Sequence, residues 1–177
     1  EPDVLTKIDF ELLGKLKYFG LYQLVLGKLL CRTGIRNLSQ NFISGRIDLS
    51  QLVERTIRHR GKYYGSIKQD LIIEAYSGWF GMIPGIRSIY PNYKVVIITR
   101  DPRDWVTSNM NWGTMYGKRD WVTRLGLGRL TPQLVGDRHY LEKWKSFTRF
   151  EKLCWAWKTI NSILMDEAEN DFNFTVV

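Results

Sequence analysis

The sequence predicts an α/β fold, in which helices flank a parallel sheet within a single domain over residues 1–177. Two observations support it. Residues 95–99 form an uncharged, β-branched run, which is typical of a strand covered on both faces of a parallel sheet. Residues 172–177 have the pattern of a second strand after a helical segment. The length of 177 residues and the hydrophobic fraction of 44% suit one domain with a hydrophobic core.

The first elements in chain order are helices. Apolar side chains recur at helical spacing over residues 10–31, which predicts an amphipathic helix. Asp48 or Ser50 can cap a second helix, which we expect to end near Gly61. Residues 62–68 then have the pattern of a short strand that leads into a polar turn.

The next elements surround the central strand. Apolar positions over residues 76–90 predict a helix bent near Pro84, which would be the crossover helix of a βαβ unit. Residues 109–137 are long, basic and rich in Gly and Trp, which is typical of a functional lid. Residues 139–169 have the apolar pattern of a helix pair.

A charged turn follows the central strand and favours a bound anion. Asp101 can cap a helix whose first turn contains Pro102. The open N–H groups of that helix and the guanidinium of Arg100 attract negative charge, and Ser108 adds a donor two turns later. The alternative is that Arg100 only pairs with Asp104.

Residues 94–108 resemble the second nucleotide-binding motif of the sulfotransferases that use 3'-phosphoadenosine 5'-phosphosulfate (PAPS). The motif runs from a hydrophobic strand through Arg100 to Ser108, with Trp105 where a smaller aliphatic residue is more usual. The resemblance implies a P-loop NTPase-like sulfotransferase architecture with PAPS as co-substrate. It also implies that Arg100 and Ser108 hold the 3'-phosphate of the nucleotide.

The same resemblance suggests a catalytic residue. Family members have a lysine after a glycine, at a strand end before the second motif, and Lys68 occupies that place. This position implies that Lys68 neutralises charge on the transferring sulfonate. Cytosolic members place a histidine shortly afterwards, whereas this chain has Gln69. The general base is therefore unassigned, with Asp70, Glu74 and His59 as the nearby candidates.

One part of the family pattern is absent from the sequence. The loop that cradles the 5'-phosphosulfate should follow a strand and open a helix, and the glycine-containing residues 32–39 and 126–129 do neither. The chain starts at Glu1 without an initiating Met and stops at Val177 within a predicted strand. We therefore expect a fold that is incomplete at both ends, with the first strand and loop upstream, and a chain that transfers nothing by itself.

Charge supports a polyanionic ligand. Residues 87–149 hold 12 Lys and Arg against 5 Asp and Glu, which is most of the net charge of +8. The leading hypothesis is sulfonate transfer from PAPS to a hydroxyl or amine of a small-molecule or carbohydrate acceptor. The alternatives are a basic module that binds nucleotides or polyanions without turnover, and a kinase of the P-loop class. No specific nucleic-acid motif accompanies the charge.

Three further features restrict the classes of function and the locations that the sequence allows. Trp112, Tyr116 and Trp121 can either line an acceptor site or pack their loop onto the core. Cys31 and Cys154 have no metal-ligand spacing, and we expect no metal. No apolar run approaches the ~20 residues of a membrane span, and the start lacks a signal-peptide pattern. The sequence therefore favours a cytoplasmic protein, with a signal or anchor upstream of the given chain left open.

Overall fold

The computed structural model describes residues 35–177, except residues 76, 114, 118–119, 121–128 and 170. Within these residues the chain is mostly helical, with seven α-helices and one two-stranded parallel sheet. The α/β prediction is therefore confirmed only in its coarse form, because the sheet is minimal. The helix predicted over residues 10–31 lies outside the described residues.

The described residues form eleven helices and strands, most of them short. In chain order they are α1 (Ile35–Ile43), α2 (Leu49–Tyr64), a 3₁₀ helix (Ser77–Gly81), α3 (Ile83–Ile89), β1 (Val95–Ile97), α4 (Pro102–Trp112), α5 (Pro132–Val135), α6 (Arg138–Leu141), a second 3₁₀ helix (Lys143–Lys145), α7 (Arg149–Ala168) and β2 (Phe174–Val176). None of the helices in the described part of the chain is long and apolar enough to span a membrane.

Helix α2 begins at a reciprocal cap and ends later than predicted. The Asp48 carboxylate accepts a hydrogen bond from the Gln51 N–H at 2.8 Å, and the Gln51 side chain accepts one from the Asp48 N–H at 3.2 Å. The helix passes through Gly61 and ends at Tyr64. It continues because Gly61 costs only about 1 kcal/mol relative to alanine, which an established helix tolerates.

The strand predicted over residues 62–68 is wrong. Residues up to Tyr64 are helical, and residues 65–68 form a turn and an irregular segment. The Gly65 N–H donates to the Gly61 carbonyl at 2.9 Å, so the backbone bonds here are those of a helix end. The Tyr64 ring meets the Tyr90 ring edge-on at 5.9 Å between centroids. This tertiary contact holds Tyr64 in the helix despite its preference for strands.

Two helices, Ser77–Gly81 and Ile83–Ile89, lie where one bent helix was predicted. The 3₁₀ helix ends at Gly81, and Pro84 lies in the first turn of α3, where its missing N–H costs nothing. A Cβ on Gly81 would lie 2.6 Å from the Ile43 side chain and 2.7 Å from the Ser39 carbonyl oxygen. Glycine therefore permits the close approach to α1 that separates the two helices. The residues described before α3 contain no strand, so the predicted βαβ unit is not formed within the described part of the chain.

The two strands pair in parallel, with Val95 opposite Phe174 and Ile97 opposite Val176. The Val177 N–H donates to the Ile97 carbonyl at 2.8 Å, and the Thr99 N–H donates to the Val177 carbonyl at 2.8 Å. The strands predicted over residues 95–99 and 172–177 are thus confirmed, each with a shorter regular part. The expected cover on both faces of the first strand is wrong for the described structure, since Val96 is 62% exposed and Ile98 is 80% exposed. Because parallel strands need a long crossover, helices α4 to α7 all lie in the connection between them.

Helix α7 contributes buried side chains to the hydrophobic core around Phe80. Thr148 and Glu151 form a capping box at its start. Its buried face contributes Leu153, Trp155 and Ala156, and two of these pack with Phe80 of the first 3₁₀ helix. The predicted helix pair over residues 139–169 is therefore one long helix, preceded by the short helix α6 and a 3₁₀ helix.

Arg149, the first residue of α7, ties that helix to the end of α4. Its guanidinium donates to three carbonyl oxygens, those of Asn109 at 2.6 Å, Met110 at 2.9 Å and Met115 at 2.9 Å. These oxygens belong to the end of α4 and the loop after it, where helical partners are lacking. The described start of the loop is therefore held in place rather than free.

A buried ion pair anchors the same loop further along. The Asp120 side chain is only 1% exposed and lies 3.1 Å from Nε of Arg129. It also accepts a hydrogen bond from the Tyr116 N–H at 2.7 Å, and the Tyr116 hydroxyl donates to the Leu130 carbonyl at 2.6 Å. Tyr116 therefore packs its loop onto the core, which is one of the two roles that the sequence left open for this residue.

We predict that Asp120→Ala destabilises the protein by about 3–5 kcal/mol, because it leaves the guanidinium of Arg129 buried without its partner. Urea denaturation followed by circular dichroism measures this change. Glu169→Ala, at an exposed carboxylate after α7, is the control and should change the free energy of unfolding by about 0.5 kcal/mol or less. Equal losses for the two variants would contradict the anchoring role of Asp120.

A polar network joins α3 to the start of β2. Arg87 lies 3.0 Å from the Asp171 carboxylate and 3.2 Å from the Glu167 carboxylate. The Tyr93 hydroxyl donates to Asp171, and the Asn173 N–H donates to Asp171 at 2.9 Å. The hydrogen bond from Tyr93, followed by those from Asn173 and Arg87, lowers the pKa of Asp171 below its ordinary 3.8.

Since the pKa of Asp171 is lower in the folded chain, its contribution to stability is present above pH 3.8 and is lost as the pH falls through the folded value. We predict that the free energy of unfolding of Asp171→Asn falls less steeply between about pH 5 and pH 2 than that of the wild type. Chemical denaturation at a series of pH values measures the slopes. Glu142→Gln, at an exposed carboxylate outside the network, should keep the wild-type slope. A wild-type slope in Asp171→Asn would refute the linkage.

Candidate anion-binding site at the end of β1

The turn after β1 has the predicted cap at the start of α4. Asp101 accepts a hydrogen bond from the Arg103 N–H at 2.8 Å, and Pro102 is the first helical residue. The Arg103 guanidinium also donates to both carboxylate oxygens of Asp101, at 3.0 Å and 2.6 Å. These bonds to the Arg103 side chain and backbone lower the pKa of Asp101 to about 2. Asp101 is therefore ionised and already paired at neutral pH.

Arg100 lies at the carboxyl end of β1 and is exposed. Its carbonyl oxygen accepts a hydrogen bond from Nε1 of Trp157 at 3.1 Å, which ties the turn to α7. No hydrogen bond or ion pair joins its guanidinium to another residue in the described part of the chain. The pairing of Arg100 with Asp104 that the sequence left open is thus not formed. The bidentate donor fork of Arg100 remains available for a ligand.

A cavity of about 560 Å³ lies between this turn and α7. The turn contributes Arg100 and Pro102 to its wall, and α7 contributes Trp157, Lys158 and Asn161, among others. This volume is within the range of about 300–1,000 Å³ that small-molecule sites occupy. The carboxylates of Asp101 and Asp166 also line the cavity and balance the charges of Arg100 and Lys158. Because Asp101 is already paired with Arg103, Arg100 is the group in this lining that can meet an anion.

The N-terminus of α4 also lies at the cavity. Pro102 and Asp101 both line the cavity, so the helix begins at its wall. Pro102 has no N–H, and the Arg103 N–H already bonds the Asp101 carboxylate, so the anion that this helix start favours is Asp101 itself. The predicted order of strand, cation and helix start is therefore present, and Arg100 is the group in it that is open to a ligand.

Ser108 is not brought to this cavity. It lies on α4, two turns after Pro102, and is half-buried. It is not one of the residues that line the cavity. The structure therefore places Arg100 and Ser108 on the same strand–helix unit without bringing their side chains into one described pocket.

Lys68 lies elsewhere. It is exposed in the irregular segment after α2 and does not line the cavity beside Arg100. Its position at a strand end was the reason for the catalytic prediction, and the described segment is not a strand. No geometric support for the role of Lys68 therefore comes from the fold.

The three candidates for the general base are also outside the cavity. Glu74 lies 3.2 Å from Nε of Arg60, and Asp70 is exposed in the irregular segment. His59 is half-buried, and burial together with Arg60 and neighbouring arginines lowers its pKa below 6.5. Glu74 thus has a structural partner, and the base remains unassigned among the three.

The wall formed by α7 was not predicted from the sequence. Lys158, Asn161 and Ser162 recur at helical spacing and line the cavity beside Trp157. The polar spacing of these residues was the available signal. Only the return of the chain to pair with β1 makes this face part of a site.

No group of three or more His, Cys, Asp or Glu side chains among the described residues is arranged to hold a metal ion. Comparison of the chain with models of protein families, with curated proteins and with solved structures found no match. The geometry of the site and the resemblance of its motif are therefore the basis for the functional proposal.

We predict that Trp157→Phe lowers the free energy of unfolding by about 1 kcal/mol, because it removes the 3.1 Å hydrogen bond to the Arg100 carbonyl while keeping an aromatic ring. Amide hydrogen exchange should also be faster at residues 99–101. Trp105→Phe is the control, since its indole N–H has no hydrogen bond to the described residues. Unchanged exchange in Trp157→Phe would show that the turn does not depend on α7.

Proposed function

We propose that this protein binds PAPS and transfers its sulfonate group to a hydroxyl or amine. The observation that carries the proposal is the unpaired guanidinium of Arg100, which stands at the end of a parallel strand, beside a helix start and a cavity. The motif over residues 94–108 supports the same proposal, since a strand, Arg100 and a capped helix start follow one another in the structure in the order of the motif.

The reaction is an in-line displacement at sulfur. A lone pair of the acceptor oxygen or nitrogen forms a bond to sulfur while the bond between sulfur and the bridging phosphate oxygen breaks. That electron pair leaves with adenosine 3',5'-bisphosphate, and the acceptor proton passes to water. Catalysis by this route needs positioning and charge stabilisation rather than a covalent enzyme intermediate.

Within this proposal Arg100 binds the 3'-phosphate through two parallel hydrogen bonds. The pairing of Arg103 with Asp101 supports that assignment, because it removes the nearest carboxylate as a competitor for Arg100. The roles of Ser108 at the same phosphate and Lys68 at the sulfonate rest on the family resemblance alone. The P-loop NTPase-like sulfotransferase architecture and a cytoplasmic location are parts of the same proposal.

A second candidate function is nucleotide binding without turnover. The observation that favours it is the position of Lys68, which lies in an irregular segment and not on the wall of the cavity. A basic module of this kind would recognise the nucleotide by charge, with a steep dependence of affinity on salt and no selectivity for the 3'-phosphate. Because residues 1–177 are expected to transfer nothing by themselves, binding separates the two candidates. A preference for adenosine 3',5'-bisphosphate over AMP favours the PAPS site, whereas equal affinities that fall steeply with salt favour the basic module.

We predict that the protein binds adenosine 3',5'-bisphosphate in preference to AMP and that Arg100→Ala loses about 2–4 kcal/mol of this binding, because a charge-assisted bidentate contact is removed. Isothermal titration calorimetry measures both affinities. Arg100→Lys should recover only part of the loss, since lysine keeps the charge without the fork.

Arg138→Ala is the matched control. It removes the same charge from an exposed guanidinium that does not line the cavity. We expect a smaller loss of affinity in this variant than in Arg100→Ala, with the preference for the 3'-phosphate retained. Equal losses in the two variants would mean that affinity follows net charge, and the assignment of Arg100 would be abandoned.

A further inference from the structure

The second half of helix α2 carries a run of basic side chains, two of which have a carboxylate partner. Arg58 lies 2.5 Å from the carboxylate of Glu54. Arg60 lies 3.2 Å from the carboxylate of Glu74. The positive charges of these two arginines are therefore balanced within the fold.

Arg55 and His59 have no such partner. In the part of the chain that the structure describes, no hydrogen bond or ion pair joins either side chain to another residue. Both residues are half-buried, whereas the side chain of Arg58 is 71% exposed. A charged group that is partly removed from water and unpaired is unfavourable. The fold alone therefore gives no reason for a cation at position 55.

Arg55 and His59 are neighbours on one face of α2. They are four positions apart on the helix, which places about 5–6 Å between their Cβ atoms. Like charges at this spacing repel and weaken a helix. An oxyanion held between the two side chains reverses that effect, because it accepts two hydrogen bonds from the guanidinium fork and one from the protonated imidazole.

The surroundings of His59 disfavour a proton on its ring. Burial and then the positive charges of its neighbours lower the pKa of His59 below its ordinary 6.5. These neighbours all lie on α2 and are Arg60, Arg58 and Arg55. The ring is therefore neutral at neutral pH in the free protein, and an anion that offsets the arginines would favour its protonation.

The two helices that pack most closely against α2 do not supply such an anion. They are α1 and α3, and their only charged residues are Arg36 and Arg87. Glu74, in the irregular segment after α2, is already paired. Burial and the nearby Glu74 raise the pKa values of Tyr64 and Tyr90, so both tyrosines are neutral. The positive charge on this face of α2 is thus open to an anion from outside the chain.

We propose that Arg55 and His59 form a second anion site, which binds a divalent oxyanion, namely a phosphate or sulfate group. Arg55 supplies the bidentate fork, and His59 binds in its protonated form. Neither residue lines the cavity beside Arg100, so this site is separate from the proposed nucleotide site and does not depend on sulfonate transfer. Because the anion favours the protonated ring, its binding strengthens as the pH falls.

The test is an NMR pH titration of the histidine ring signals of the full chain in sodium sulfate and in sodium chloride at the same ionic strength. Sulfate stays divalent throughout, and the matched chloride removes the effect of screening. The chain has two histidines, and the exposed His139 is the internal control. Sulfate should raise the pKa of His59 by about 0.5 or more, which corresponds to about threefold tighter binding to the protonated ring. Equal pKa values of His59 in the two salts, or the same rise at His139, would overturn the site.

Substitutions of Arg55 locate the anion. Arg55→Ala should raise the pKa of His59 in chloride, because a repelling charge is removed, and sulfate should then raise it no further. Arg55→Lys keeps the charge without the fork and should keep only part of the sulfate response. Arg46→Ala removes the same charge at an exposed position before α2 and should keep the full response. A full sulfate response in Arg55→Ala would contradict the assignment.

The role of His59 has a separate readout. Sulfate affinity, measured from the backbone amide signals of α2, should be at least about threefold tighter at about pH 5.5 than at about pH 8. His59→Gln should lose this difference, and a pH dependence that persists in His59→Gln would refute the role of the ring.

Two further probes identify the source of the anion and separate the two sites. O-phosphoserine that acts at lower concentrations than sulfate assigns a group carried by a larger molecule, whereas equal concentrations assign the free ion, and both outcomes support the site. The affinity for adenosine 3',5'-bisphosphate should be the same in Arg55→Ala as in the wild type. A loss of nucleotide affinity in Arg55→Ala would overturn the separate site and leave PAPS binding standing.

Discussion

The parallel pairing of β1 with β2 is the constraint on which the candidate site depends. Strands that run in the same direction cannot be joined by a tight turn, so the chain must cross over and return. The return brings α7 alongside the turn after β1, where Nε1 of Trp157 bonds the Arg100 carbonyl. The cavity walls are thus residues far apart in sequence, held together by one strand pair and one long helix.

Asp101 determines the electrostatics of the turn after β1. Asp101 is committed twice, as the cap of α4 and as the partner of Arg103. Arg100 is consequently left without an internal partner among the described residues, next to a helix start that Asp101 already caps. A folded chain gains little from an unpaired surface cation, whereas a chain that binds a phosphate gains a bidentate contact. This contrast is the physical reason to assign a ligand to the turn.

Short sequence patterns predicted β1 and the start of α4 correctly. The β-branched run identified β1, and Asp101 with Pro102 identified the start of α4, because both depend on neighbouring residues. The strand expected over residues 62–68 failed because a tertiary contact of Tyr64 extends α2. The α7 wall was missed for a similar reason, since Lys158 and Ser162 become site residues only through the crossover. Lys68 and Ser108 remain predictions from the motif.

A 3'-phosphate site at the end of β1 can be tested by an NMR titration of the arginine side-chain Nε–Hε signals with adenosine 3',5'-bisphosphate at physiological salt. We expect the Arg100 signal to shift strongly and saturate, while the signal of Arg149, which is bonded to three backbone carbonyls, stays in place. We expect no comparable shift of the Arg100 signal with AMP. An Arg100 signal that does not move, or that moves equally with both nucleotides, would contradict a 3'-phosphate site at the end of β1.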